Sequence, residues 1–150
     1  MHVAVNKIPM KTNPTCLLID DDSDDQEIFV TAAAEVNSAT TCQVISDAKD
    51  ALQFLRRTSD LPDLIFLDIN MPKMDGFEFL VELKRDQRLQ GIPVIFYSTT
   101  KDEDQIVKAT RLGASGFITK TNHYTSLCKI LQHFLRNKSQ DGKQKLDFIF

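Results

Sequence analysis

Three short apolar runs each end on a polar side chain: Leu17-Leu-Ile-Asp20, Leu64-Ile-Phe-Leu-Asp68 and Val94-Ile-Phe-Tyr-Ser98. Each is too short for a helix and too continuously apolar for a strand with one wet face. Such runs suit strands covered on both faces, which requires helices above and below one sheet. The intervening segments supply them. Ile28, Phe29, Ala32, Ala33 and Val36 recur at helical spacing, as do Ala48, Ala51, Leu52 and Leu55. Phe77, Leu80, Val81 and Leu83 mark a third helix, stopped around Gln90-Gly91, and Ile106, Val107, Ala109 and Leu112 a fourth, ended by Gly113 as C-cap. Leu127, Ile130, Leu131, Phe134 and Leu135 mark the last. Ser23 or Asp24 is expected to cap the first helix and Asp47 the second. Residues 41–46, rich in β-branched side chains, and 116–120 complete the strands. Strand and helix alternate throughout, which predicts a doubly wound α/β fold with a five-stranded parallel sheet and five helices.

The chain of 150 residues fits one domain, set at 15–136, with an arm over 1–14 broken by Pro9 and Pro14 and a polar tail over 137–150. The tail ends Leu146-Asp-Phe-Ile-Phe150, either a frayed terminus or a short apolar segment suited to docking on a second chain. Eighteen basic against 21 acidic residues give a net charge of −3, which argues against a broad nucleic-acid footprint. Cys16, Cys42 and Cys128 form no metal or redox spacing and read as free thiols in a reducing cytoplasm. No segment has a signal-peptide layout or the length to cross a bilayer, so membrane insertion is not expected.

In an open parallel sheet the ligand crevice lies beyond the carboxyl ends of the strands. Asp20, Asp68, Ser98 and Lys120 stand at four such ends. Asp20, Asp21 and Asp68 are hard oxygen ligands suited to magnesium, which takes one or two carboxylates and shares phosphate oxygens. Asp68, ending a buried run, is placed to act as a nucleophile toward phosphorus and form an acyl phosphate. Lys120 offers a cation and Ser98 a hydroxyl donor for the transferring group. Singly, an Asp at a strand end is more often a loop or cap residue and a Lys more often solvated; their joint occurrence carries the reading. Asp22, Asp24 and Asp25 read as one helix cap and solvated first-turn acids. His2, His123 and His133 have no zinc spacing, Ser98 has no nucleophile elbow, and the loop after Asp20-Asp21-Asp22 lacks the glycines of a nucleotide cradle.

Four stretches resemble the receiver domain of two-component response regulators, the bacterial chemotaxis regulator being the minimal case. They are Leu17-Leu-Ile-Asp-Asp-Asp-Ser23, Leu67-Asp-Ile-Asn-Met-Pro-Lys-Met-Asp-Gly76, Pro93-Val-Ile-Phe-Tyr-Ser-Thr99 and Gly113-Ala-Ser-Gly-Phe-Ile-Thr-Lys120. The resemblance implies a flavodoxin-like sheet of order 2-1-3-4-5. It implies Asp68 as phosphoacceptor, and magnesium held by Asp20, Asp21, Asp68 and the carbonyl of Asn70. Ser98 falls at the family's switch position, Phe117 at its aromatic rotamer, and Lys120 at the lysine that pairs with the phosphoryl group. Thr99 and Asn70 fall where side chains govern water access. The implied donor is a sensor histidine kinase or phosphotransfer protein, and the implied output is a protein contact through residues 101–136, with a partner or with a second copy as a phosphorylation-linked dimer. One departure is Thr121 after Lys120, where the family has proline and often a cis bond; before a non-proline residue that bond costs about 3 kcal/mol. Two rivals share the chemistry. A phosphate sink would use every one of these residues, whereas a magnesium-dependent phosphohydrolase wants an acid two positions after the nucleophile, where Asn70 stands.

Overall fold

The computed structural model describes residues 13–135. The arm over 1–14, apart from Asn13 and Pro14, the tail over 137–150 and His2 lie outside them. The strands are β1 (Thr15–Ile19), β2 (Thr41–Ile45), β3 (Leu64–Leu67), β4 (Val94–Ser98) and β5 (Gly116–Thr119). The helices are α1 (Ser23–Val36), α2 (Ala48–Arg57), α3 (Gly76–Arg85), α4 (Glu103–Arg111) and α5 (Tyr124–Leu135). All strand pairs are parallel and the order is β2-β1-β3-β4-β5, as expected.

Side chains alternate across the sheet, so each strand feeds two cores. Leu17, Ile19, Ile65, Leu67, Phe96 and Phe117 meet α2, α3 and α4 on one face. Cys16, Leu18, Phe66, Ile95, Tyr97 and Ile118 meet α1 and α5 on the other. There Phe29 packs on Phe66 at 4.8 Å between ring centroids, and Phe66 meets Phe134 edge-on at 5.8 Å. Burial on both faces is why β3 and β4 are apolar at every position before their ends.

The helices depart from expectation in their margins. Asp22, not Ser23 or Asp24, caps α1, accepting from the backbone N–H groups of Asp24 and Asp25. Ile28 is 46% exposed and Val107 40%, because α1 buries Phe29, Ala32 and Ala33 and α4 buries Ile106 and Ala109. α3 stops at Arg85 with Asp86 as its C-cap, and separate turns carry the chain to Gly91. Leu112 is the C-cap of α4, and Gly113 follows at φ +103, a left-handed position that favours glycine. Asp47 caps α2 as expected.

In the turns after α3, Arg88 reaches the free carbonyls at the end of α2. Its Nη1 donates to Leu55 O at 3.1 Å and its Nη2 to Thr58 O. These are orphan acceptors of a helix end, and a guanidinium also complements the helix dipole there. Arg88→Ala should lower stability by about 1 kcal/mol, read as a fall in the denaturation midpoint at unchanged slope. Arg88→Lys should recover only part of it, having no planar fork.

Candidate phosphoryl and metal site

Backbone ladders pin the site residues one step beyond the strand ends. Asp20 N donates to Ile45 O at 3.3 Å, Asp68 N to Ile19 O at 3.0 Å and Lys120 N to Ser98 O at 2.7 Å. Each residue therefore inherits the position of the sheet rather than of a loose loop. Gln26 adds a second anchor, its Nε2 donating to Asp20 O at 2.6 Å and to Ser46 Oγ at 2.9 Å. The Asp20 and Asp68 carboxylates are buried and accept from the backbone N–H of Asp22 (3.0 Å) and Ile69 (2.9 Å).

The structure brings Asp20, Asp21, Asp68 and Lys120 together. Oxygens of the three carboxylates lie within 4.8 Å of one another, with Asp21 exposed and the other two buried. Lys120 Nζ lies 2.8 Å from Asp20 Oδ2, 2.8 Å from Asp25 Oδ2 and 3.6 Å from Asp68 Oδ2. Ser98 is fully buried at the end of β4, its Oγ accepting from Thr100 N at 3.4 Å. Thr99 and Asn70 are exposed beside the strand ends. Phe117 is not in the crevice: it is fully buried in the core, its ring 5.9 Å from that of Phe96, which lies 5.4 Å from Phe77. The Lys120–Thr121 peptide is trans, since no cis bond occurs among the described residues. Thr121 instead accepts from His123 N at 3.1 Å through its hydroxyl, turning the chain toward α5.

Burial dominates the electrostatics. It pushes Asp68 up to about 6, although the Lys120 charge pulls the other way. It raises Asp20 as well, against its hydrogen bond from Lys120. Burial alone would lower Lys120, but the bonds to Asp20 and Asp25 raise it, so the ammonium stays charged. Desolvation raises Tyr97 to about 12, and its ring lies 5.2 Å from Lys120 Nζ.

Three carboxylates whose oxygens lie within 4.8 Å of one another, two of them buried, form a set of hard donors suited to a divalent cation. The residues present therefore fit magnesium by donor type and by convergence. Ser98 ends the neighbouring strand β4, and Lys120, one residue past β5, brings its ammonium 3.6 Å from Asp68, so a donor and a positive charge can reach a group on Asp68.

Three residues escaped the sequence reading. Asp25, expected to be solvated, instead shares Lys120. Gln26 holds the Asp20 backbone, a role with no local signal. Gly76 N donates to Ile69 O at 2.8 Å, and a Cβ built on it would lie 2.3 Å from Asp68 O.

Comparison with known proteins follows the same lines. The sequence profile of the response regulator receiver domain matches residues 16–132. The response regulator Rcp1 of Synechocystis sp. is 31% identical over 133 residues, which is 81% of this chain and 88% of that protein. The phosphorylated cyanobacterial phytochrome response regulator RcpA superposes with a TM-score of 0.74 at 32% identity, over 80% of this chain and 89% of that one. The manganese-bound form of Rcp1 superposes with a TM-score of 0.72 at 28% identity, over 81% of this chain and 93% of its own.

Proposed function

The chain belongs to the response regulator receiver-domain family, and from that membership we propose that it is a phosphorylation switch whose acceptor is Asp68. The observation that carries the proposal is the convergence of Lys120 with the three carboxylates of Asp20, Asp21 and Asp68 at one sheet edge. The unit that works is taken as residues 15–136.

In this reading a carboxylate oxygen of Asp68 attacks phosphorus as the bond to the donor breaks, leaving an acyl phosphate. Burial suits Asp68 to this attack, because a poorly solvated carboxylate is held in place and less masked by water. Magnesium would be held by Asp20, Asp21, Asp68 and the carbonyl of Asn70, and it supplies positive charge against the phosphoryl oxygens. The manganese-bound relative supports a divalent ion in such a pocket. Lys120, 3.6 Å from Asp68, turns to the new oxygens, and the Ser98 hydroxyl donates to them. Thr99 and Asn70, both exposed, meter the water that hydrolyses the adduct.

The added dianion biases a two-state element, with Ser98 moving toward it and the Phe117 ring following. The signal would leave through the face around 101–136, toward a partner protein or a second copy. A sensor histidine kinase or phosphotransfer protein is the donor, and the chain acts as a switch rather than an enzyme. No described helix is long and apolar enough to cross a membrane; we place the protein in the cytoplasm, without nucleic-acid contacts.

The test is direct. Protein incubated with magnesium and acetyl phosphate should gain one phosphoryl group by intact mass, labile to base and mapped to the peptide containing Asp68. Chelating the metal should abolish the gain. A protein that gains none, and binds no beryllofluoride either, is not this switch.

A further inference from the structure

We propose, resting on the phosphoacceptor reading above, that Asp25 is a positioning residue that holds Lys120 back and thereby weakens the protein's grip on a phosphoryl group at Asp68. The Lys120 ammonium has three donors. Two are committed at equal length, 2.8 Å to Asp20 Oδ2 and 2.8 Å to Asp25 Oδ2, while Asp68 Oδ2 stands off at 3.6 Å. Asp25 is a firm anchor. It sits in the first turn of α1, its own N–H bonded to the cap residue Asp22 at 3.0 Å, so the carboxylate hangs from a fixed backbone.

The other acceptor of Lys120, Asp20, belongs to the group of acids whose oxygens gather within 4.8 Å, and Asp25 does not. A cation bound there competes with Lys120 for Asp20 and leaves the Asp25 bond untouched. Asp25 then becomes the main rival of the incoming phosphoryl oxygens for the lysine. It also adds a negative charge beside a dianion. Both effects have one sign: they favour the unmodified state and speed the return to it. The opposite role, Asp25 aiming Lys120 at the phosphoryl group, has the opposite sign, and so the two are separable.

The experiment compares parent protein, Asp25→Asn, Asp25→Ala and Asp24→Asn, the last removing an adjacent first-turn charge that does not touch Lys120. Fluorine NMR titrations read the beryllofluoride dissociation constant at saturating magnesium, and a separate titration reads magnesium alone. Both Asp25 variants should bind beryllofluoride on the order of fivefold tighter, the scale of one part-exposed ion pair. Their magnesium affinity should stay level or fall, since negative charge is lost. Asp24→Asn should leave beryllofluoride binding within about twofold. Half-lives of the acetyl phosphate adduct should lengthen in the same order.

Unchanged or weaker beryllofluoride binding in the Asp25 variants overturns the proposal, as does an equal gain in Asp24→Asn. If the parent binds no beryllofluoride and takes up no phosphoryl group from acetyl phosphate, the phosphoacceptor reading fails and takes the proposal with it. If the parent binds and the Asp25 variants match it, only the role of Asp25 falls.

Discussion

Asp68→Asn should take up no phosphoryl group and yet be more stable than the parent at neutral pH in the absence of metal. The first half follows from the proposed role of Asp68 as nucleophile: an amide cannot form an acyl phosphate, so the mass gain with acetyl phosphate should vanish. The second half follows from burial. Asp68 is pushed up to about 6 in the folded protein against 3.8 for an ordinary aspartate. The folded state therefore holds the Asp68 proton more tightly than the unfolded chain does. Below the ordinary value both states are protonated and the group costs nothing. As pH rises from about 4 to about 6 the unfolded chain ionises first, and the folded state loses stability until Asp68 also ionises. Above that window the loss is complete, at about 2–3 kcal/mol. Asparagine carries no such charge, so its advantage should be small near pH 4 and full at pH 7.5. Denaturant titrations of both proteins in chelator at the two pH values check it. An advantage of equal size at both would show that the ionised carboxylate is not its source.

Gly76→Ala should be among the most damaging single-methyl changes in the protein. The added Cβ would lie 2.3 Å from the Asp68 carbonyl oxygen, 3.0 Å from the Ile69 Cα and 3.0 Å from a ring atom of Phe96. Two of those neighbours are backbone, and that backbone is tied into the sheet by the bond from Asp68 N to Ile19 O. Nothing can swing aside cheaply, so α3 must shift off the sheet or the Asp68 strand end must move. Loss of stability should reach about 3 kcal/mol, the upper end for overpacking, and Gly76→Val should exceed it. The site should feel the same shift. Where the alanine variant still folds, beryllofluoride binding should weaken with it, because the displaced backbone carries Asp68, the proposed acceptor. A melting temperature equal to the parent's would mean that the close approach is relieved elsewhere.

Much of this architecture was legible because both sheet faces are covered. That condition makes the strands unbroken apolar runs, and Leu64–Leu67 and Val94–Ser98 were found at their observed bounds. In β1, β3 and β4 the same condition leaves polar side chains only at the ends, so Asp20, Asp68 and Ser98 stand out, whereas β2 carries an exposed Gln43 at its middle. What periodicity left blurred was the width of each apolar stripe. Ile28 and Val107 share the helical spacing of their neighbours but fall just outside the buried strip, which only the packed partner defines. Phe79, fully buried, was missed for the converse reason. Asp25 could not be told from any first-turn acid, since its partner is 95 residues away in sequence. Gly76 lay within the quoted motif, but its reason, the approach of α3 to the Asp68 carbonyl, exists only in three dimensions.

The span between Asp20 and Lys120, 100 residues apart and joined at 2.8 Å, has a consequence for when the protein can act. β5 is one of the two edge strands and pairs with β4 alone, while β1 lies next to the opposite edge strand β2. The ammonium thus enters the crevice only when β5 is docked on β4, a contact that closes a loop of 100 residues back to Asp20. A chain whose β5 has not docked lacks the Lys120 cation among these acids. A ligand that engages Lys120 together with the acids therefore draws the equilibrium toward the whole fold.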